Sequence, residues 1–224
     1  IPSNQFENWA RIQADRFMNP VLRGFHTELE TVYEEKNMSL TEDFSKALET
    51  LDGMLFPDHP YGQQTVLGTQ EHLKNPSITN IKNYHKTYYV PNNIAICLCG
   101  DFNPDQMIKV IEKYFGQMKP NENLPEVSFT TSSVIETPIE KDVYGLDAEA
   151  ILIGWKYPGA RSEDALIAEV AANVLYNGSA GLIDLNVNQQ QTILGAIGMS
   201  YSRPDAGELI LLGNPKQGQT LQEV

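Results

Sequence analysis

The run Val90-Pro91-Asn92-Asn93-Ile94-Ala95-Ile96-Cys97-Leu98-Cys99-Gly100-Asp101 is the stretch on which the fold class turns. Pro91 and the Asn pair punctuate the chain, an unbroken apolar run follows, and Gly100-Asp101 reads as a turn. A short apolar run between turn signals predicts a strand over 94–99. From Pro104 a helical pattern runs to about Phe115 and stops at Gly116, so the unit is β-turn-α. Cys97 and Cys99 would share one face of that strand. Neighbours at i and i+2 splay too far for an easy disulfide, and both are read as small apolar core residues.

Upstream, residues 3–56 read as three helices. Phe6, Trp9, Ile12 and Phe17 recur at helical spacing, and Asn19-Pro20 ends the first helix. The second covers 21–37. The third opens at Thr41-Glu42-Asp43 with acidic first-turn residues and runs to Phe56, where Pro57-Asp58-His59-Pro60 forbids continuation. Residues 57–68 read as loop, and Asn75-Pro76-Ser77-Ile78-Thr79 caps a helix reaching about Tyr88.

Downstream, Pro120, Asn121, Asn123, Pro125 and the Thr130 to Ser133 run make 119–133 the best linker in the chain. The expected domains are therefore 1–125 and 126–224. In the second, strands are expected near 134–141 and 148–157, a helix over 162–176, a short helix over 180–189, and a strand pair over 194–202 and 208–213. The class is α+β, with mixed, mainly antiparallel sheets and packed helices.

At 224 residues the chain holds one large domain or two small ones. With 16 Lys and Arg against 29 Asp and Glu, the net charge of −13 argues against nucleic acid as a partner. No apolar run approaches the ~18 to 20 residues of a membrane span. The opening Ile1-Pro2-Ser3-Asn4 and the closing Thr220-Leu221-Gln222-Glu223-Val224 suggest a piece trimmed at both ends, and the missing leader says nothing about export.

The histidines are His26, His59, His72 and His85, and no two stand three to five apart as paired helical ligands would. Gly-x-x-x-x-Gly-Lys-Ser/Thr, Gly-x-Gly-x-x-Gly, Gly-x-Ser-x-Gly and Cys-x-x-Cys are absent from the sequence. Gly178-Ser179-Ala180-Gly181 lacks a following Lys-Ser/Thr and reads as a small-residue helix entry. Trp9 and Trp155 are expected in packing, and His72 and His85 at the surface or at caps.

One acidic helix remains, His26-Thr27-Glu28-Leu29-Glu30-Thr31-Val32-Tyr33-Glu34-Glu35-Lys36-Asn37. Glu28 and Glu35 are separated by about 700° of helical rotation, close to two turns, so they stand on one stripe. Their backbones lie about 10.5 Å apart along the axis, too far for both to hold one ion comfortably. One could ligate and the other support it. His26 faces the opposite way from Glu35. On spacing alone, Glu28, Glu30, Glu34 and Glu35 read as a solvated face.

The order of segments shifts that balance. It covers Glu7 to Arg16 followed by Asn19-Pro20; Glu28 to Asn37; His59-Pro60-Tyr61-Gly62 with Gly68; Tyr88-Tyr89-Val90-Pro91-Asn92-Asn93-Ile94 leading to Gly100-Asp101; and Lys113-Tyr114-Phe115-Gly116. In this order the chain strongly resembles the pitrilysin/insulinase-like zinc metallopeptidases over nearly its whole length.

The family's zinc site is an inverted His-x-x-Glu-His motif plus a distant Glu within a Glu-x6-Glu pattern. The resemblance makes Glu35 the third Zn2+ ligand and Glu28 the supporting acid. Glu34 remains a solvent residue, and His59 belongs to a loop element that closes a turn. This sequence departs from the family in having no His-x-x-Glu-His; that motif would lie upstream, and an assisting Arg/Tyr pair downstream.

The resemblance therefore implies a fragment of a zinc-dependent metalloendopeptidase that hydrolyses peptides or unfolded polypeptides, inactive by itself and holding zinc only weakly. Its implied partners are peptide substrate and the remainder of its own chain or a homologous half. The alternative is a catalytically inactive homologue acting as scaffold or peptide-binding subunit. An envelope or organellar location would suit the family.

Overall fold

A computed structural model of the chain describes residues 1–129 and 134–224. The Thr130 to Ser133 part of the expected linker lies outside the described residues. The chain divides into two compact units, residues 1–34 with 70–127, and residues 35–69 with 128–224.

The first unit is helical. After a 3-10 turn, Ser3–Gln5, helix α1 spans Phe6–Met18, and helix α2, Phe25–Ser39, begins here. Helices α5 (Gln70–Lys74), α6 (Ile78–Tyr88) and α7 (Pro104–Phe115) complete the unit. Ala10 and Ala14, one turn apart on α1, are fully buried. Such small residues allow close helix approach, and α7 packs there with the Phe115 ring 6.4 Å from both Trp9 and Phe17. Glu7 fixes the register of the pair, accepting from Lys113 Nζ at 2.6 Å and Tyr114 Oη at 2.9 Å.

The ends of these helices follow their caps. Ser77 Oγ accepts the Asn80 N–H at 3.3 Å, and Asn103 Oδ1 accepts the Gln106 N–H at 3.0 Å with Pro104 in the first turn. His72 is exposed in the last turn of α5, and His85, half-buried near the end of α6, stacks on Tyr89 at 4.6 Å.

The expected strand over 94–99 forms no regular element and joins no sheet among the described residues. With no neighbouring strand its faces stay open, and Cys97 and Cys99 are exposed, which corrects their reading as core residues.

The second unit holds the sheet. Helix α3, Asp43–Leu55, starts two residues later than Thr41. The Asp43 carboxylate accepts backbone N–H groups of Leu146 and Asp147, the latter at 2.7 Å, so it tethers the incoming strand segment. The expected loop over 57–68 contains a short helix, α4, Pro60–Gln63. A Cβ on Gly62 would sit 2.3 Å from the Phe56 carbonyl oxygen, so only glycine permits this tight return.

Strands β1 (Ile151–Pro158), β2 (Gly195–Ser202) and β3 (Ala206–Asn214) form an antiparallel sheet in the order β1-β3-β2. No strand forms over 134–141. On one face Leu51, Leu55 and Phe56 pack with Ala206 and Ile210. Gly154, paired with Ile210, leaves room there: its Cβ would lie 3.0 to 3.1 Å from the Leu51 and Leu55 methyls.

Alternate residues point the other way. Gly198 and its register partner Leu211 meet Tyr176 and Ile183, which follow helix α8, Glu163–Leu175. Helix α8 turns Ala165 and Ala172 inward and is capped by Ser162, whose Oγ accepts the Ala165 N–H at 3.1 Å. Tyr157 on β1 lies across Gly207 of β3 and reaches Ser200 and Ser202 of β2 at 2.7 and 2.9 Å. Trp155 on edge strand β1 is 49% exposed, not packed as expected.

The short helix expected over 180–189 is a helical turn entering a π-helix, Asp184–Asn188. Asp184 accepts the N–H groups of Asn177 and Gly181, both at 3.0 Å. Burial pushes its pKa up, yet these backbone donors outweigh burial and hold it below the usual carboxylate range. In the Gly178 to Gly181 run the Ser179 and Ala180 N–H groups donate to Asn177 Oδ1 and the Gly181 N–H to Asp184, so these donors are used by the chain's own side chains, as suits a helix entry rather than a phosphate loop.

Leu55→Ala is expected to destabilise the chain by about 2 to 5 kcal/mol, read as a lower urea midpoint. An unchanged midpoint would show that this face does not hold the sheet.

Candidate functional site

Helix α2 is continuous through the acidic run, since no Gly or Pro interrupts Phe25–Ser39. Glu28 in its first turn and Lys36 in its last suit the helix dipole. Leu29, Val32 and Tyr33 are half-buried, while Glu28, Glu30, Glu34 and Glu35 are exposed. His26 is exposed and sits edge-on to Phe25, with ring centroids 5.6 Å apart. The Glu28 and Glu35 side chains carry no hydrogen bond or ion pair among the described residues.

The turn that carries Glu35 is anchored from beneath. Lys36 is 4% exposed, and its Nζ meets Glu49 Oε1 of α3 at 2.7 Å and Thr65 Oγ1 at 3.4 Å. A buried ammonium needs such partners. The Lys36 contact therefore fixes the rotation of this last turn, and with it the direction in which the neighbouring Glu35 leaves the backbone.

Among the described residues, no group of three or more His, Cys, Asp or Glu is placed to hold a metal ion. A catalytic zinc takes three protein ligands and an open position. An exposed carboxylate such as Glu35 has the right donor chemistry for one of them, but the described donor set does not by itself fit the ion.

The second unit also contains a buried polar cluster that periodicity and motifs missed. Arg203, in the β2–β3 turn, donates through Nη2 to Asp52 Oδ1 at 2.8 Å and to Glu208 Oε1 at 2.9 Å, and through Nη1 to Asp52 Oδ2 at 3.3 Å. Its guanidinium lies over the rings of Phe56 and Tyr61, 4.9 and 4.4 Å from their centroids. Burial is the largest single influence and works against its charge, but the hydrogen bond and charge of Asp52, with the charge of Glu208, together outweigh it and raise the pKa.

Glu208 is 4% exposed. Burial, and then the charge of Asp52, push its pKa up to about 7 against the opposing pull of Arg203. His59 is fully buried; its Nδ1 accepts the Tyr61 N–H at 3.1 Å and its Nε2 stands 3.4 Å from Asp205 Oδ2. It closes the turn into α4, as its loop role implied. The sequence did hold one signal: Glu208 has the same strand parity as inward-facing Ile210, so a charge falls on a core position.

Comparison with known proteins fits this fold. The family model described as the peptidase M16 inactive domain matches residues 77–214. The chain belongs to the peptidase M16 family. It is 24% identical over 177 residues to the zinc protease PqqE of Helicobacter pylori, covering 74% of this chain and 38% of that protein. The structure of a protease from Helicobacter pylori superposes with a TM-score of 0.78 at 19% identity, over 96% of this chain and 54% of the other. Pitrilysin superposes with a TM-score of 0.64 at 18% identity, over 97% and 24%. The chain thus spans well under two thirds of these relatives. Its kinship is with pitrilysin-like zinc proteases, and its α+β fold is theirs.

Glu49→Ala would leave the Lys36 ammonium buried without its carboxylate. A loss of about 1 to 3 kcal/mol is expected in denaturant unfolding, largely restored by the double change Lys36→Met with Glu49→Leu. Equal losses in the single and double variants would show that the ion pair is not what anchors this turn.

Proposed function

We propose that this chain is part of a zinc-dependent metalloendopeptidase acting on peptides or unfolded polypeptides, to which it contributes Glu35 as a zinc ligand and Glu28 as a supporting carboxylate. The observation that carries this reading is α2 itself: an unbroken helix presents both exposed carboxylates seven residues apart, and a buried ion pair anchors the turn beside Glu35. The zinc-protease names of relatives support it. The remaining ligands would come from outside this chain, and the division into 1–125 and 126–224 belongs to the same proposal.

Each residue then has a defined task. Glu35 would offer its carboxylate to the ion. Glu28, two turns earlier, cannot comfortably share that ion and acts by orienting and by adding negative charge. Lys36 holds the last turn through Glu49. When bound, zinc would supply Lewis-acid polarisation of the scissile carbonyl and activation of water. The surplus of acidic residues favours basic peptides as substrates.

A second reading, a non-catalytic homologue that holds peptide or serves as scaffold, is favoured by the match to a domain described as inactive. The two separate experimentally in the full-length protein. Glu35→Gln is expected to lower zinc affinity and peptide hydrolysis by at least about 100-fold, Glu28→Gln by about 10- to 100-fold, and Glu34→Gln to change neither. Full zinc content in Glu35→Gln would overturn its assignment as ligand. Absence of zinc and of chelator-sensitive cleavage in the wild-type full-length protein would favour the scaffold. For residues 1–224 alone, calorimetry is expected to show no sub-micromolar zinc binding.

A further inference from the structure

The cluster at the β2–β3 turn holds one guanidinium between two carboxylates, with Glu208 buried and Arg203 and Asp52 largely covered. Glu208 Oε1 is satisfied by Arg203, but Oε2 is buried with no hydrogen-bond partner. Asp52, on α3, lies within hydrogen-bonding reach of Glu208. A buried carboxylate oxygen without a donor is costly, and a second carboxylate beside it adds repulsion. A single proton on Glu208 removes both penalties: the charge count becomes one positive against one negative, and the new O–H can be donated to Asp52.

We propose that Asp52, Arg203 and Glu208 form a proton-operated latch. While Glu208 carries its proton, the β2–β3 turn is held against α3; when the proton leaves, two carboxylates compete for one guanidinium and the turn loosens. The effect reaches α4, because Asp205 in the same turn meets the Tyr61 hydroxyl at 3.4 Å and faces His59. The register partners of Glu208 are Lys156 on β1 and Tyr201 on β2, His59, Tyr61 and Asp205 lie at the same turn, and the other charged residues of α3 are paired elsewhere, Glu49 with Lys36 and Lys46 with Asp43.

The direction with pH follows from linkage. The native Glu208 carboxyl titrates near 7 and a free glutamate near 4.5, so the folded chain retains an extra proton between those values. The stabilisation this proton gives is full below about 4.5 and is lost as pH rises through about 7. Relative to Glu208→Gln, which keeps the neutral shape, the wild-type folded-to-unfolded ratio is expected to fall on the order of a hundredfold across that window.

Thermal unfolding of both proteins from pH 5 to 8 tests this: a wild-type midpoint that drops with pH relative to Glu208→Gln supports the latch, and parallel profiles overturn it. Should Glu208→Gln not fold, NMR of the wild type with 13C-labelled glutamate carboxyls decides. A Glu208 resonance titrating near neutrality, and moving to lower pH in Asp52→Asn, supports the latch. One that titrates like an exposed glutamate overturns it.

Discussion

The packing of α3 against the sheet is the constraint on which the second unit depends. Leu51 and Leu55 occupy the space that the absent side chain of Gly154 leaves open, and Phe56 closes the end of the same core. At that end the apolar contact gives way to Asp52, which shares α3 with the two leucines and binds Arg203 from the β2–β3 turn. One helix therefore fills the core with one set of residues and aligns the hairpin with another. Burial supplies a non-directional attraction, while the bidentate Asp52–Arg203 contact selects a single geometry. The first unit combines the same two kinds of contact, with close-packed alanines on α1 and the directional Glu7–Lys113 pair beside them.

Local chemistry was legible wherever it acts within a few residues. The Asn103-Pro104 start and Gly116 stop place α7 correctly, Ser77 starts α6, and Ser162 starts α8. The hairpin β2–β3 falls close to the strand pair expected over 194–202 and 208–213. What needs a distant partner was not legible. The 94–99 run has strand composition, but a strand is defined by its neighbour, and none pairs with it among the described residues. Cys97 and Cys99 are apolar by type and exposed by context. Trp155 likewise follows the fate of an edge strand, which single-sequence patterning does not announce.

The candidate site divides in the same way. Glu28 and Glu35 stand out because a helix converts their spacing into a shared stripe, an intrahelical property. Helical spacing does not mark Lys36, which is buried because Glu49, on the next helix, offers a carboxylate 2.7 Å away. Arg203 resembles an ordinary surface residue in sequence, and Glu208 is marked only by its strand parity with Ile210. Only the fold sets the Arg203 guanidinium against the rings of Phe56 and Tyr61 and buries Glu208 beside it, where the low polarity of the surroundings gives protonation weight.

The Tyr157 ring spans the middle strand above Gly207 and ties the two outer strands together through Ser200 and Ser202. Any side chain at 207 would occupy the ring's place. In the history of such chains these two positions are therefore not free to drift separately. A larger residue at 207 is admissible only where 157 has first become small, and the path between the two states passes through an intermediate that has lost the bridge without yet filling the gap.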